Sequence, residues 1–207
     1  MGDQLTIFDA IFDLLKLDAR FIPGGILLFG VTFYQLHKRK QLTLKTGIVL
    51  AAFYYYLATM LSHVVGIPTI KEWLRLSGLG EHIFNPDINL IPLADGLSGE
   101  FIMNVIFFAP LGFLCPLISK SYEKAKNVLL IGFCFSLAIE LSQLFVLYRI
   151  TDISDLIANT LGVFAGYLCF QFIRKVTKGN FANQDRAAGS LPVVYLAFAF
   201  IITFLQT

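Results

Sequence analysis

The sequence predicts an all-α protein, a polytopic transmembrane helical bundle of about six spans with an interfacial amphipathic helix at its N-terminus. The 207-residue chain is 57% hydrophobic and 14% charged, with a mean hydropathy of +0.72, which is too apolar for an ordinary soluble domain. Its apolar residues are grouped in six runs, and three of the intervening segments hold most of the basic residues. These observations indicate one integral-membrane domain over residues 1–207.

The first element is an amphipathic pattern ahead of the apolar runs. Apolar residues between Ile7 and Leu15 alternate with Asp9, Asp13 and Lys16 at helical spacing, which is typical of a helix lying in the membrane interface. The segment is acidic and lacks an uninterrupted apolar core, unlike a cleavable signal peptide. We therefore expect it to remain in the mature protein.

Six apolar runs follow, and a membrane crossing needs about 20 mostly apolar residues. The runs extend over Phe21–Leu36, Gly47–Ile67, Phe101–Ile118, Val128–Leu147, Ile153–Ile173 and Leu191–Leu205. The first and last runs are short, and Pro23 weakens the start of the first as a helix. The pattern predicts about six helical spans.

Charge orients the predicted bundle, because cytoplasmic loops are enriched in Lys and Arg. The loops on one side of a six-span model carry Lys38, Arg39, Lys40, Lys45, Lys120, Lys124, Lys126, Arg174, Lys175, Lys178 and Arg186. The opposite side carries most of the acidic residues. This asymmetry predicts that both termini are extracytoplasmic, and it explains the basic loops without a nucleic-acid partner.

Neither a metal site nor a cofactor is predicted. The three cysteines lie inside apolar runs without metal-ligand spacing, and the three histidines fall in different segments.

Polar residues are concentrated in ELSQLFVLYRITDISDLIANTLG, between Glu140 and Gly162. Glu140 and Gln143 share one face of the fourth predicted span, whereas Asp152, Asp155 and Asn159 share a stripe of the fifth. A very tight turn around residues 148–151 would join the two spans, with Glu140 and Asn159 each about 10 Å deep. Charged groups at such depth should face the bundle interior or a watery pocket.

These side chains form a candidate substrate-binding site, which Asn104 of the third span could join. Its predicted members are Asn104, Glu140, Gln143, Arg149, Asp152, Asp155 and Asn159. Arg149 could bind a phosphate or carboxylate bidentately, and Glu140 or Asp155 could act as a general acid or base. Glu140, Asp152 and Asp155 could also hold a hard cation, although their spacing matches no established metal motif.

A purely structural alternative stays open. Asp155 and Asn159 could hydrogen-bond across a helix pair that Gly162 and Gly166 bring close, while Arg149 and Asp152 pair at the surface. An interhelical hydrogen bond needs only one or two polar residues, so the convergence of more of them favours a site.

The same residues resemble the signature of the VanZ-like family, in ELSQLF followed by RITDISDLIANTLG. Upstream, NLIPL and NVIFFAPLGFLCPL resemble its Asn-x-x-Pro and Asn-x-x-x-x-x-Pro-x-Gly-Phe segments. The resemblance covers about residues 85–175, with Leu93 standing where the family often has Phe. It implies a multi-pass protein of the bacterial cytoplasmic membrane, and the founding member of the family is associated with low-level resistance to the glycopeptide teicoplanin.

On this basis we hypothesise an outward-facing pocket that binds an amphiphile, either a lipoglycopeptide antibiotic or a lipid-linked cell-wall precursor. The expected partners are membrane lipids and such an amphiphile, and whether the bundle works alone or with a cell-wall enzyme stays open. An intramembrane enzyme acting on a lipid-linked substrate and a small transporter are the alternatives. The segment from Lys71 to Glu100 could cover the pocket as a lid, with Trp73 as a membrane-interface anchor.

Overall fold

Seven α-helices occupy most of the computed structural model, which describes residues 16, 18–40, 43–94, 96–180 and 189–206. Within these ranges the helices are α1 Phe21–Lys38, α2 Leu44–His63, α3 Ile70–Gly78, α4 Gly99–Ile118, α5 Ala125–Gln143, α6 Ile153–Val176 and α7 Leu191–Phe204. The predicted amphipathic helix before Lys16 lies outside the described residues.

Each of the six predicted apolar runs contains a helix. Four helices of the described chain, α2, α4, α5 and α6, are long and apolar enough to cross a membrane. Helix α7 is apolar but has only 14 residues, which agrees with the weak prediction for the last run. The predicted all-α membrane bundle is confirmed, with an approximate span count.

Helices α4 and α6 form the closest packed pair of the bundle, because three glycines lie where they meet. A Cβ added to Gly112 would overlap the carbonyl oxygen of Val163, and one added to Gly162 would overlap that of Val105. A Cβ on Gly166 would overlap the carbonyl oxygen of Ala109. The predicted packing role of Gly162 and Gly166 is confirmed, and their partner helix is α4.

The connection between α5 and α6 is longer than the predicted tight turn. Helix α5 ends at Gln143, although the apolar run continues to Leu147. The Phe145 N–H donates to the Ser142 carbonyl and the Val146 N–H to the Gln143 carbonyl, so the backbone leaves the helix through short-range turns. The chain then pairs as a two-residue strand, β2 Thr151–Asp152, in parallel with β1 Ile88–Asn89.

The segment from Lys71 to Glu100, which sequence reasoning considered as a lid, includes most of helix α3 and all of strand β1. The Thr69 hydroxyl caps α3 by accepting a hydrogen bond from the Glu72 N–H at 3.2 Å. Trp73 donates its indole N–H to the Phe145 carbonyl at 3.1 Å, and its ring packs edge-on against Phe204. Trp73 therefore joins α3 to the chain after α5 and to the end of α7.

The segments that are rich in acidic residues and the loops that are rich in Lys and Arg lie at opposite ends of the bundle, which are called here the acidic and the basic end. The start of α1 and the end of α2 adjoin, since His63 Nε2 lies 3.0 Å from the Lys16 carbonyl oxygen. The end of α7 reaches the same level, where the Lys71 N–H donates to the Gln206 carbonyl. At the other end, Arg174 pairs with Glu123 at 3.1 Å among the basic segments.

Candidate functional site

A cavity of about 480 Å³ lies at the acidic end of the bundle, between α2, α4, α5 and α6. Its lining residues are Val64, Val65, Gly99, Glu100, Met103, Asn104, Phe107, Phe108, Ile139, Glu140, Gln143, Arg149, Asp155 and Asn159. Six of the seven residues predicted for a binding site line this cavity, and Asp152 does not. The structure thus brings together the predicted polar groups of α4, α5, α6 and the segment between α5 and α6. Sequence reasoning could place them only near the same end of the bundle.

Glu140 is almost entirely buried, with 3% of its surface exposed. Its Oε2 accepts a hydrogen bond from the Asp152 N–H at 2.9 Å, and its backbone carbonyl accepts one from the Thr151 hydroxyl at 2.9 Å. The last turn of α5 is thereby fixed to β2 and to the start of α6. A buried carboxylate held by a backbone N–H keeps its orientation towards the cavity.

Asp152 stands behind the cavity wall and organises the start of α6. Its Oδ1 accepts a hydrogen bond from the Ser154 N–H at 2.6 Å, which caps the helix. Its Oδ2 accepts one from Asn89 Nδ2 at 2.9 Å, which connects the cap to β1. The alternative that paired Arg149 with Asp152 at the surface is not seen among the described residues.

Replacing Asp152 with alanine should lower the stability of the protein by about 1 to 2 kcal/mol, the usual cost of losing a helix cap. Asp152→Asn keeps an acceptor oxygen for the Ser154 N–H and should therefore lower the stability of the protein by less than Asp152→Ala does. Thermal melting of the purified protein in one detergent would measure both variants. Equal melting temperatures for wild type and Asp152→Ala would contradict the capping role.

Asp155 and Asn159 make the interhelical hydrogen bonds of the structural alternative, but to two different helices. Asn104 of α4 donates Nδ2 to Asp155 Oδ1 at 2.8 Å. Asn159 donates Nδ2 to the Ser136 hydroxyl of α5 at 2.9 Å. The Asn159 Oδ1 is buried and has no hydrogen-bond partner in the described chain, so these contacts do not satisfy every polar group of the cluster.

Arg149 and Gln143 connect the cavity to the segment that follows α2. Gln143 donates Nε2 to the Val65 carbonyl at 2.9 Å. The guanidinium of Arg149 lies over Gly66, where a Cβ would overlap it, and Gly66 has a φ of +62°. Within the described residues, the Arg149 side chain makes neither a salt bridge nor a hydrogen bond. This cation is thus free to bind an anionic group at the cavity.

Sequence reasoning missed Glu100, Val65 and Gly66 as parts of the site. Glu100 opens α4 and adds a third carboxyl group to the lining. Gly66 precedes Pro68 by two residues, a turn signal that marks the position but does not show that Arg149 lies over it. Only the path of the chain after α2 places Val65 in the cavity wall and Gly66 under Arg149.

The arrangement combines a free guanidinium, carboxyl groups and apolar walls in one concave space, which is typical of a ligand site. Two carboxyl groups, Glu140 and Asp155, could exchange protons with a ligand there. In the described part of the chain, no group of three or more His, Cys, Asp or Glu side chains is placed to hold a metal ion, so the hard cation has no supporting geometry.

Comparison with known proteins gives one family. The family model of VanZ/LLP1 matches residues 21–174, which extends from the start of α1 almost to the end of α6. The match includes helices α1 and α2, which carry no motif found by sequence reasoning. No curated protein and no solved structure shows significant similarity to the chain.

Proposed function

This chain belongs to the VanZ/LLP1 family, and from that premise we propose that it is a bacterial membrane protein that confers or modulates glycopeptide resistance. In this proposal the cavity faces outward and binds the polar head of an amphiphile. The amphiphile is a lipoglycopeptide such as teicoplanin or a lipid-linked cell-wall precursor. Binding would lower the effective access of the drug to its target.

The observation that carries this proposal is the composition of the cavity. Glu140, Asp155 and Arg149 meet there with a wall of apolar side chains that includes Phe107, Phe108 and Ile139. An amphiphile presents a polar head next to an apolar tail, so its two parts match the two kinds of lining. The charge asymmetry of the sequence supports an outward cavity, because the cavity lies at the end opposite the basic segments.

The proposal is tested by drug susceptibility in a sensitive Gram-positive host. Cells carrying empty vector, wild type or Glu140→Gln are compared with teicoplanin and with vancomycin at matched protein abundance in the membrane. We expect wild type to protect selectively against teicoplanin, which has a lipid tail, and Glu140→Gln to lose most of that protection, because the amide cannot reproduce the buried carboxylate. Full protection by Glu140→Gln would remove Glu140 from the mechanism, and no protection by wild type would reject the resistance role.

Gly66→Ala tests the placement of Arg149 without changing any polar group. The substitution puts an L-residue into a left-handed conformation, at a cost of about 1 to 2 kcal/mol, and displaces the guanidinium that lies over Gly66. We expect a modest fall in melting temperature together with reduced protection against teicoplanin. Gly80→Ala is the matched control, because Gly80 also has a positive φ of +75° but has open space around it. Equal resistance in the two variants would argue against a role for the position of Arg149.

An intramembrane enzyme is the second candidate, favoured by the presence of Glu140 and Asp155, two candidate acid or base groups, in one cavity. In that case Glu140 or Asp155 would serve as acid or base towards a lipid-linked substrate. Mass spectrometry of lipid extracts from cells with and without the protein would reveal a new product. Identical extracts would favour binding without reaction.

A small transporter would need a polar path below Asn159. The packing of Gly162 and Gly166 against the backbone of α4 fills that region in the described chain. Accessibility labelling of cysteines introduced along α5 and α6 would separate a closed cavity from such a path. Labelling from both sides of the membrane would favour transport.

A further inference from the structure

Acidic groups outnumber basic groups in the cavity wall. Glu100, Glu140 and Asp155 line it, whereas Arg149 is the basic residue of the lining. A ligand with only negative charge would therefore gain one attraction and meet several repulsions. A ligand that carries a cationic group together with an anionic one matches the charges of the lining better than a purely anionic ligand does.

The positive and negative groups occupy different depths. Arg149 lies in the segment between α5 and α6 and is exposed. Asp155 is in the first turn of α6, and Asn159 is one turn further into the bundle, about 6 Å along the helix. Asn159 is 3% exposed, so the cavity runs from a cationic mouth to an acceptor-rich floor.

An unpaired acceptor at the floor points to a ligand. Asn159 Oδ1 is buried without a hydrogen-bond partner in the described residues, although Nδ2 of the same amide is bonded to Ser136. Leaving a buried acceptor unpaired is energetically unfavourable. An N–H donor of a bound ligand would satisfy this atom, and a primary ammonium carries three such donors.

We propose that the cavity binds a zwitterionic lipid head group, with its phosphate on Arg149 at the mouth and its primary ammonium between Glu140, Asp155 and Asn159 Oδ1 at the floor. This inference rests on the proposed function, because it specifies the head of the amphiphile. A guanidinium binds phosphate oxygens through paired N–H donors. The apolar side chains Val64, Phe107 and Ile139 flank the head group and leave its acyl chains among apolar neighbours.

Direct binding tests the inference separately from resistance. The purified full-length protein is titrated by microscale thermophoresis with three water-soluble dihexanoyl lipids, phosphatidylethanolamine, phosphatidylcholine and phosphatidylglycerol. We expect phosphatidylethanolamine to bind about tenfold or more tightly than either of the others. Phosphatidylcholine has the same charge but no N–H donor, and phosphatidylglycerol has the phosphate but no cation.

Variants assign the preference to the named residues. Glu140→Gln and Asp155→Asn should each lower the affinity for phosphatidylethanolamine. Each should also reduce the difference in affinity between phosphatidylethanolamine and phosphatidylglycerol, because a negative charge that repels the anionic lipid is removed. Arg149→Ala should weaken binding of all three lipids. Glu81→Gln, an exposed acid outside the cavity lining, is the matched control and should behave as wild type.

The outcomes separate the inference from the function on which it rests. Equal affinity for the three lipids, or a preference for phosphatidylglycerol, would overturn the zwitterionic head group and leave an amphiphile site standing. An unchanged preference in both acid variants would also overturn it. If wild type bound none of the lipids, the lipid inference would fall, and the susceptibility test would still decide the resistance role.

Discussion

Replacing Gly166 with alanine should prevent α4 and α6 from packing and leave little folded protein. The added Cβ would overlap the carbonyl oxygen of Ala109, which is part of a helix backbone and cannot rotate away. Overpacking a core typically costs 1 to 3 kcal/mol, and we expect about 3 kcal/mol or more here because backbone must move. The loss should show as reduced membrane abundance and a lower melting temperature in detergent.

Gly30→Ala is the matched control for this substitution. Gly30 lies inside α1 and has no atom within 4 Å of an added Cβ, so alanine should be neutral or slightly stabilising there. A Gly166→Ala protein as abundant and as stable as Gly30→Ala would show that α4 and α6 tolerate a wider separation.

Replacing Arg149 with alanine should remove selective protection against teicoplanin and leave protein abundance close to that of wild type. The side chain is exposed and makes no salt bridge in the described residues, so its loss breaks no ion pair that joins the helices. The proposed function requires its charge at the cavity mouth. Susceptibility to teicoplanin, measured with vancomycin as reference, should return to the level of empty vector.

Two further variants complete this experiment. Arg149→Lys keeps the charge but not the paired donors, and we expect it to restore protection only in part. Arg75→Ala removes another exposed arginine, one that pairs with Glu72 at 2.7 Å outside the cavity, and should protect like wild type. Full protection by Arg149→Ala would show that the cavity works without this cation.

Much of the candidate site was predictable, because helical periodicity places residues on faces. Glu140 and Gln143 were expected on one face of a helix and Asp155 and Asn159 on a stripe of the next, and both sets line the cavity. Asn104 was expected to join from a third helix, and it bonds to Asp155. What periodicity cannot supply is the direction in which each face points, since that depends on the rotation of the helices against one another.

The irregular segments were predicted least well. The end of α5 at Gln143 was not predicted, because the apolar run continues to Leu147 and hydropathy does not distinguish a helix from an apolar turn. Strand β1 is two residues long and is held by its partner β2, so no local pattern marks it. Asp152 belonged to the predicted polar stripe, yet its role as a cap bonded to Asn89 depends on where β1 lies.

The sequence by itself determined that the chain is an all-α membrane bundle with a polar cluster near one end, because the length of apolar runs and the period of an α-helix are local properties. The tertiary structure alone decided that Arg149 lies unpaired over Gly66, that Asn159 keeps an unsatisfied oxygen, and that Asp152 stands behind the wall. These features arise from contacts between segments far apart in the chain. Their geometry is fixed by close glycine packing and by the path of the connecting segments, and neither is encoded by spacing along a single helix.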